Sequence, residues 1–253
     1  LGIKASDVSK VMPFVLESGV EPVDTMVEFL QGVGVKYNSL ARVIAAWPKI
    51  FHHHPNDLAP AVVVLNRLGF TSMSLSSLVA RAPQLLSRSA DDLTQCVTYM
   101  ASIGLSRRDT ERLVNRYPSL MTLHIKDNMI PTVRFLASLG VDVVREIADM
   151  VKRLPSLLGF SIATLLVPKY EFFMKAMHRP QRELVHFPQF FSYSLNKRLI
   201  RRFERLGKHF HEQGLSSVYS CSDLVFEERF AEFLKKSKSP ESNTRDCKQQ
   251  GAM

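Results

Sequence analysis

Prolines recur along this 253-residue chain at Pro13, Pro48, Pro83, Pro118, Pro155 and Pro188, spaced by 35, 35, 35, 37 and 33 residues. A near-constant period of this length marks stacked structural repeats. Around five of the prolines the text is alike: Trp47-Pro48-Lys49-Ile50-Phe51, Ala82-Pro83-Gln84-Leu85-Leu86, Tyr117-Pro118-Ser119-Leu120-Met121, Leu154-Pro155-Ser156-Leu157-Leu158 and Phe187-Pro188-Gln189-Phe190-Phe191. Pro13 joins by spacing and only loosely by its neighbours. A second ladder, Gly34, Gly69, Gly104 and Gly140, runs fourteen or fifteen residues ahead of Pro48, Pro83, Pro118 and Pro155. Two punctuation marks per period predict two helices per period. Glycine stops one because it takes left-handed backbone without a Cβ penalty, and proline ends the other because its ring disfavours helix in the preceding residue.

One unit shows the logic. Over residues 91–103, Leu93, Val97, Met100 and Ala101 fall at helical spacing, with Ser89 and Asp92 placed as a capping box and Gly104 as the stop. A second helix starts after Ser106, whose spacing to Asp109 repeats the box, and Leu113, Val114 and Tyr117 form its apolar face. The apolar pair Leu120-Met121 then reads as a tight turn packed between units. No strand pattern appears. A single helix pair has too little apolar surface to stand alone, so neighbours must share a continuous core. The expected fold is an all-α, right-angled helical-repeat solenoid of helix-pair units with short 3-10 turns. Its repeats fall near residues 13–47, 48–82, 83–117, 118–154, 155–187 and 188–234, the last acting as a C-terminal cap. Residues 235–253, polar and almost without apolar content, are expected to be a disordered tail.

Period alone does not choose among helical repeats. The combination of a proline closing the second helix, a following x-Leu-Leu, and glycine inside Leu65-Asn66-Arg67-Leu68-Gly69 and Leu136-Ala137-Ser138-Leu139-Gly140 resembles the mitochondrial transcription termination factor (mTERF) repeat. The stretch from Phe187 and Pro188 through Tyr193, Asn196, Lys197, Arg198 and Leu199 resembles the C-terminal signature of plant members. At Arg201 the plant pattern often has proline, so the helix here is expected to run on unbroken into Phe203 and Lys208. Ser222-Asp223-Leu224-Val225-Phe226 onward is similar to the family's terminal helix. The resemblance implies a superhelical all-α fold, an organellar address (chloroplast ahead of mitochondrion), and binding to DNA or RNA in organelle gene expression. Transcription termination is the leading role; RNA binding for intron splicing or ribosomal RNA maturation is the alternative. Organellar transcription or RNA-processing proteins are the protein partners it implies, and a monomer is expected. A protein-interaction scaffold is the rival reading from another class.

Charge agrees with a polyanionic partner: 33 Lys and Arg against 24 Asp and Glu leave +9. Residues 168–210 hold ten basic and three acidic residues, a net +7. On one continuous helix, Lys197, Arg201, Arg205 and Lys208 would share a side, with Arg198 and Arg202 beside them. A second pattern recurs two residues before the prolines, at Arg81, Arg116 and Arg153, with His186 next. Six residues before, Arg42, Arg112 and Arg182 recur. Stacking would align these into a stripe able to track a phosphate backbone, or their stems would shield the core edge; both readings stand at this point. Phosphate contacts of this kind give salt-dependent affinity with little sequence information. Trp47, Tyr117 and Phe187 read as core rather than base-stacking platforms.

Other chemistry finds no support in the text. His52-His53-His54 are adjacent, so on a helix they diverge, and no metal-ligand spacing accompanies them. His209 and His211 read as facing the solvent or the helix dipole at a basic helix end rather than a ligand. No phosphate-cradling loop, nucleophile elbow or paired-carboxylate arrangement is visible, and neither an enzyme, a cofactor nor a metal is expected. Cys96, Cys221 and Cys247 are scattered and odd in number, which fits a reducing compartment. No apolar run reaches membrane-span length, so no membrane partner is expected. The chain opens on Leu1 in text that reads as the end of a unit, so its natural N-terminus is expected further upstream.

Overall fold

The computed structural model describes residues 5–18 and 20–237, and among them there is no strand. Two compact units divide the chain, Leu1–Val167 and Pro168–Met253. The first contains α1 (Ala5–Ser18), α2 (Val20–Gly32), α3 (Tyr37–Ala46), α4 (Pro55–Arg67), α5 (Ser72–Arg81), α6 (Ala90–Ser102), α7 (Arg107–Arg116), α8 (Ile130–Ser138) and α9 (Ala148–Arg153). Two rows result: α2 packs on α4 and α4 on α6, while α3 packs on α5 and α5 on α7. The second unit holds nearly all of α10 (Val167–Lys175), then α11 (Arg182–His186), α12 (Arg201–Leu206), α13 (Leu215–Tyr219) and α14 (Asp223–Ser237). No described helix is long and apolar enough to cross a membrane.

Each motif proline from Pro48 onward opens a five-residue 3-10 helix: Pro48–His52, Pro83–Ser87, Pro118–Thr122, Pro155–Gly159 and Pro188–Ser192. The residue before it has nearly the same backbone every time, from φ −145° and ψ 67° at Ala82 to φ −131° and ψ 64° at Phe187. That is the non-helical geometry that proline imposes on its predecessor. The two apolar residues after each proline are core: Ile50 and Phe51, Leu85 and Leu86, Leu120 and Met121, Leu157 and Leu158, Phe190 and Phe191 are at most 5% exposed. At roughly 1.5–3 kcal/mol per buried side chain, these pairs pin one repeat to the next. Pro13 is the exception. It lies inside α1, which runs on to Ser18, so this segment is helix interior and not the end of a repeat.

The glycine ladder does what its spacing predicts, with φ between +80° and +100° at all four positions. After Gly104, the amide of Leu105 donates back to the Met100 carbonyl at 3.1 Å, closing the helix in a Schellman turn. The residue following each glycine, Val35, Phe70, Leu105 or Val141, is buried. Gly104 is required twice over, because a Cβ there would collide with the Val144 carbonyl oxygen of the next repeat. Of the two expected capping boxes, Ser106 with Asp109 is complete, whereas Ser89 accepts from the Asp92 amide without the reciprocal bond.

Four helix starts depart from what the text predicts. Residues Ile125–Met129, Val143–Ile147, Ile162–Leu166 and Leu195–Ile200 form π turns, closed by bonds such as Met129 N–H to the His124 carbonyl and Ile147 N–H to the Asp142 carbonyl. Two of them account for the longest spacing in the ladder. A π turn holds one residue more than an α turn. Gly104 to Gly140 is 36 residues with one π turn, against 35 for the spacings before it. Gly140 to Pro155 is 15 with another, against 14 elsewhere. The 37-residue repeat is therefore a 35-residue repeat with two such turns. The shortest spacing, 33, accompanies a second helix of only five residues, α11.

At the C-terminus α14 continues through Ser237, so residues 235–237 are helical, and the rest of the expected tail lies outside the described residues, as does Cys247. Cys96 is a core residue of α6, its thiol pushed up to about 12 by burial.

Candidate nucleic-acid interface

In the first unit the stripe residues are exposed. Arg42 on α3, Arg81 on α5, Arg112 and Arg116 on α7 and Arg153 on α9 all face solvent, while the apolar pairs between them, Val43-Ile44, Leu78-Val79 and Leu113-Val114, are buried. Because α3, α5 and α7 are neighbours, the arginines belong to adjacent helices of one row. Between α3 and α5 runs a groove of about 390 Å³ lined by Lys36, Ser39, Arg42, Ser76, Ser77 and Arg81, with no acidic residue on its walls. Arg81 Nε donates to the Ser77 carbonyl at 3.1 Å, which holds this side chain along its own helix. Arg42, Arg81, Arg112 and Arg116 have no acidic group within 4 Å among the described residues.

An arginine that sequence reasoning missed links the two rows. Arg107 Nε donates to the Leu68 carbonyl at 3.0 Å and its Nη2 to the Arg67 carbonyl at 3.1 Å. It thus caps the C-terminus of α4, in the preceding repeat, with the charge that a helix C-terminus favours. Its partners lie 39 and 40 residues back, and no local pattern signals such a bond. Lys152 Nζ, 3.7 Å from Asp109, similarly ties α9 to α7.

The second unit treats its basic residues differently. Arg202 is 2% exposed, so its assignment as a phosphate contact is corrected: it is a structural residue. Its guanidinium donates to the carbonyls of Val218 at 2.5 Å and Cys221 at 3.0 Å and to Asp223 Oδ1 at 2.5 Å, and lies 4.7 Å from the Phe226 ring centre. Lys169 is also buried, donating to the Phe191 carbonyl at 2.6 Å, and burial lowers its pKa. Arg179 bonds Glu183 and the Gln213 carbonyl and lies over Phe210. Arg198 is half-buried, over Tyr193 at 5.0 Å and 3.5 Å from the Tyr219 carbonyl. Arg205 pairs with Glu227 at 3.1 Å and Arg201 approaches Asp223 at 4.0 Å. The basic helix runs on past Arg201 and Phe203, as a π turn carrying Lys197 followed by α12, but it stops at Leu206: Gly207 at φ +51° passes the chain into a 3-10 turn, so Lys208 is corrected to a position outside the helix. Arg182, Lys197 and Lys208 remain exposed without an acidic neighbour within 4 Å among the described residues.

The model of the mTERF family matches residues 2–227. The chain belongs to the mTERF family. Similar curated proteins include "Transcription termination factor MTERF2, chloroplastic" of Arabidopsis thaliana, 34% identical over 99 residues, a stretch covering 39% of this chain and 15% of that protein. "Transcription termination factor MTERF4, chloroplastic" of rice (Oryza sativa subsp. japonica) is 34% identical over 97 residues, covering 38% and 19%. The Arabidopsis thaliana protein of the same name is 32% identical over 105 residues, covering 41% and 19%. These matches span at most about a fifth of the length of these relatives.

Within this mTERF chain the three adjacent histidines do separate structural work. His52 packs edge-on to Phe14 with ring centres 5.2 Å apart, His53 lies 5.3 Å from Trp47, and His54 caps α4 in a box with Asp57. His209 bonds Glu212 at 3.0 Å and packs on Phe233, so its ring is held rather than solvated; His211 lies against Phe210. Tyr117, expected in the core, is 38% exposed, whereas Trp47 and Phe187 are half-buried.

Proposed function

We propose that this chain binds double-stranded DNA through its phosphate backbone and acts in chloroplast transcription, where a bound array stands in the path of the polymerase and promotes termination. Its contribution is positional rather than catalytic. One observation carries the reading: on the row α3, α5 and α7, Arg42 and Arg112 hold one repeat position and Arg81 and Arg116 another, all exposed and, among the described residues, without acidic neighbours within 4 Å. Guanidinium groups so placed can each meet a backbone phosphate, and every helix of the row carries at least one. Three chloroplastic relatives named as transcription termination factors support the role and the organelle.

Fluorescence anisotropy with duplex DNA and with single-stranded RNA of equal length, over a salt series, tests this against a variant with Arg42, Arg81, Arg112 and Arg116 changed to Ala. The duplex should bind more tightly than the RNA. The slope of log affinity against log salt should flatten by about three to four in the variant, at roughly 0.9 for each phosphate that is no longer neutralised. Tighter RNA binding would move the role to splicing or ribosomal RNA maturation. Absence of binding to either at low salt would leave a protein-interaction scaffold as the reading.

A further inference from the structure

The second unit carries an arrangement that the charge pattern alone does not suggest. Arg201 and Arg205, the two exposed arginines of α12, both have their acidic neighbours on α14: Asp223 at 4.0 Å and Glu227 at 3.1 Å. Buried Arg202 anchors α14 between them through Asp223 and Phe226. The Arg205 guanidinium also lies 5.0 Å from the Phe230 ring centre, so it is held over an aromatic face as well as against a carboxylate. The outer pairs are far from buried: Arg205 and Glu227 side chains are 54% and 41% exposed, Arg201 and Asp223 64% and 59%. Such pairs are weak and screened by salt, so a phosphate arriving from solvent can displace the carboxylate.

We propose that α14 masks a second nucleic-acid contact surface on α12: Glu227, with a lesser share from Asp223, occupies the place a backbone phosphate would take on Arg205 and Arg201. The mask lowers affinity by cancelling charge at the edge of the interface, and nucleic acid engages α12 only by competing with it. Lys197 and Lys208 flank the masked pair and supply the first, unopposed attraction. Asp223 does two jobs, since it also fixes the buried Arg202, so Glu227 is the residue whose removal separates masking from folding. The inference rests on the nucleic-acid reading above and assigns a regulation to it.

The test is a double-mutant cycle read by duplex-DNA anisotropy over a salt series, on the full chain, using Glu227→Gln, Arg205→Ala and both together. Thermal melts confirm that each variant folds, as an exposed pair allows. Glu227→Gln should tighten binding about two- to fivefold at low salt, as expected from the strength of one exposed pair. It should also steepen the salt slope by about one, as one more phosphate is engaged. Arg205→Ala alone should change little, because that charge is already cancelled, while in the Glu227→Gln background it should remove the gain. The proposal is overturned if wild type binds and Glu227→Gln does not tighten it, or if the gain survives removal of Arg205, which would make it a general effect of net charge. If neither wild type nor Glu227→Gln binds duplex or RNA, the nucleic-acid reading itself fails and the mask falls with it.

Discussion

In residues 1–167, Arg112 and Arg116 stand exposed one helical turn apart on α7, with Leu113 and Val114 buried beneath them. In residues 168–253, Arg202 has the opposite fate: flanked by exposed Arg201, it lies under α14 with its guanidinium bonded to two carbonyls and a carboxylate. The local text hardly distinguishes these arginines, since each sits in a short amphipathic helix among apolar neighbours. Their surroundings differ. α7 packs on other helices through its apolar face and leaves its polar face open, whereas α12 is covered on a further side by α14, whose acids, with the carbonyls that precede it, draw the cations inward. Counting basic residues therefore measures exposed charge only where no later element folds back over it.

The sharpest way to break this comparison is Arg202→Ala. It should destabilise the second unit by about 3 kcal/mol, through a cavity beside Phe226 and carbonyls of Val218 and Cys221 left without their charged donor. Urea unfolding followed by far-UV circular dichroism would read it, and a change under about 1 kcal/mol would return Arg202 to the surface group. In the first unit the corresponding weak point is backbone. Gly104→Ala should cost about 2–3 kcal/mol, combining left-handed strain with a clash against the Val144 carbonyl, again measured by chemical denaturation. Arg107→Ala should cost about 1 kcal/mol from its two bonds to the end of α4, with faster hydrogen exchange confined to the last turn of that helix as the local signature.

Acid adds a smaller test. Asp223 is held below its ordinary value of 3.8, first by the hydrogen bond from Arg202 and then by the surrounding arginine charges. A carboxyl depressed in the folded state contributes stability that is fully present above its unfolded value and is lost as pH falls through the folded one. Asp223→Asn should therefore flatten the stability profile below about pH 4, where wild type declines, and a profile of unchanged slope would remove Asp223 from that role. The smallest stability effect belongs to Arg116→Ala, within about 0.5 kcal/mol in the same denaturation assay, while its salt slope for duplex falls by about one.

Much of the fold was legible because its signals are local. Proline dictates the backbone of the residue before it, glycine permits the left-handed stop, and apolar spacing marks the buried face, so the helix pairs and 3-10 turns followed from short stretches of text. Pro13 shows the limit: its spacing and the apolar pair Val15-Leu16 after it fit the ladder, yet it lies inside α1, where Leu16 is exposed rather than buried against a neighbouring repeat. The shared helix face and exposure of the first-unit arginines follow from the period alone. What escaped depends on distant partners. Nothing near Arg107 points to carbonyls 39 and 40 residues earlier, and nothing near Arg202 points to Val218 or Asp223. The nearest available signal was the pattern of Asp223, Phe226, Glu227 and Phe230 on one side of α14, complementary to the arginines of α12 but outside the window in which their charge was counted.

The π turns have a consequence for how such a chain can change. An added residue in a regular helix would rotate everything after it by about 100° and swing its apolar face away from its neighbours. Where a π turn takes up the surplus, downstream side chains keep their bearing, and the insertion is quarantined within a single coil of backbone. Length and register thereby become separable quantities in this array: one repeat can grow by two residues while the next proline still opens a turn that buries its apolar pair. A lineage built this way can gain or lose single residues without having to redesign the neighbours on either side.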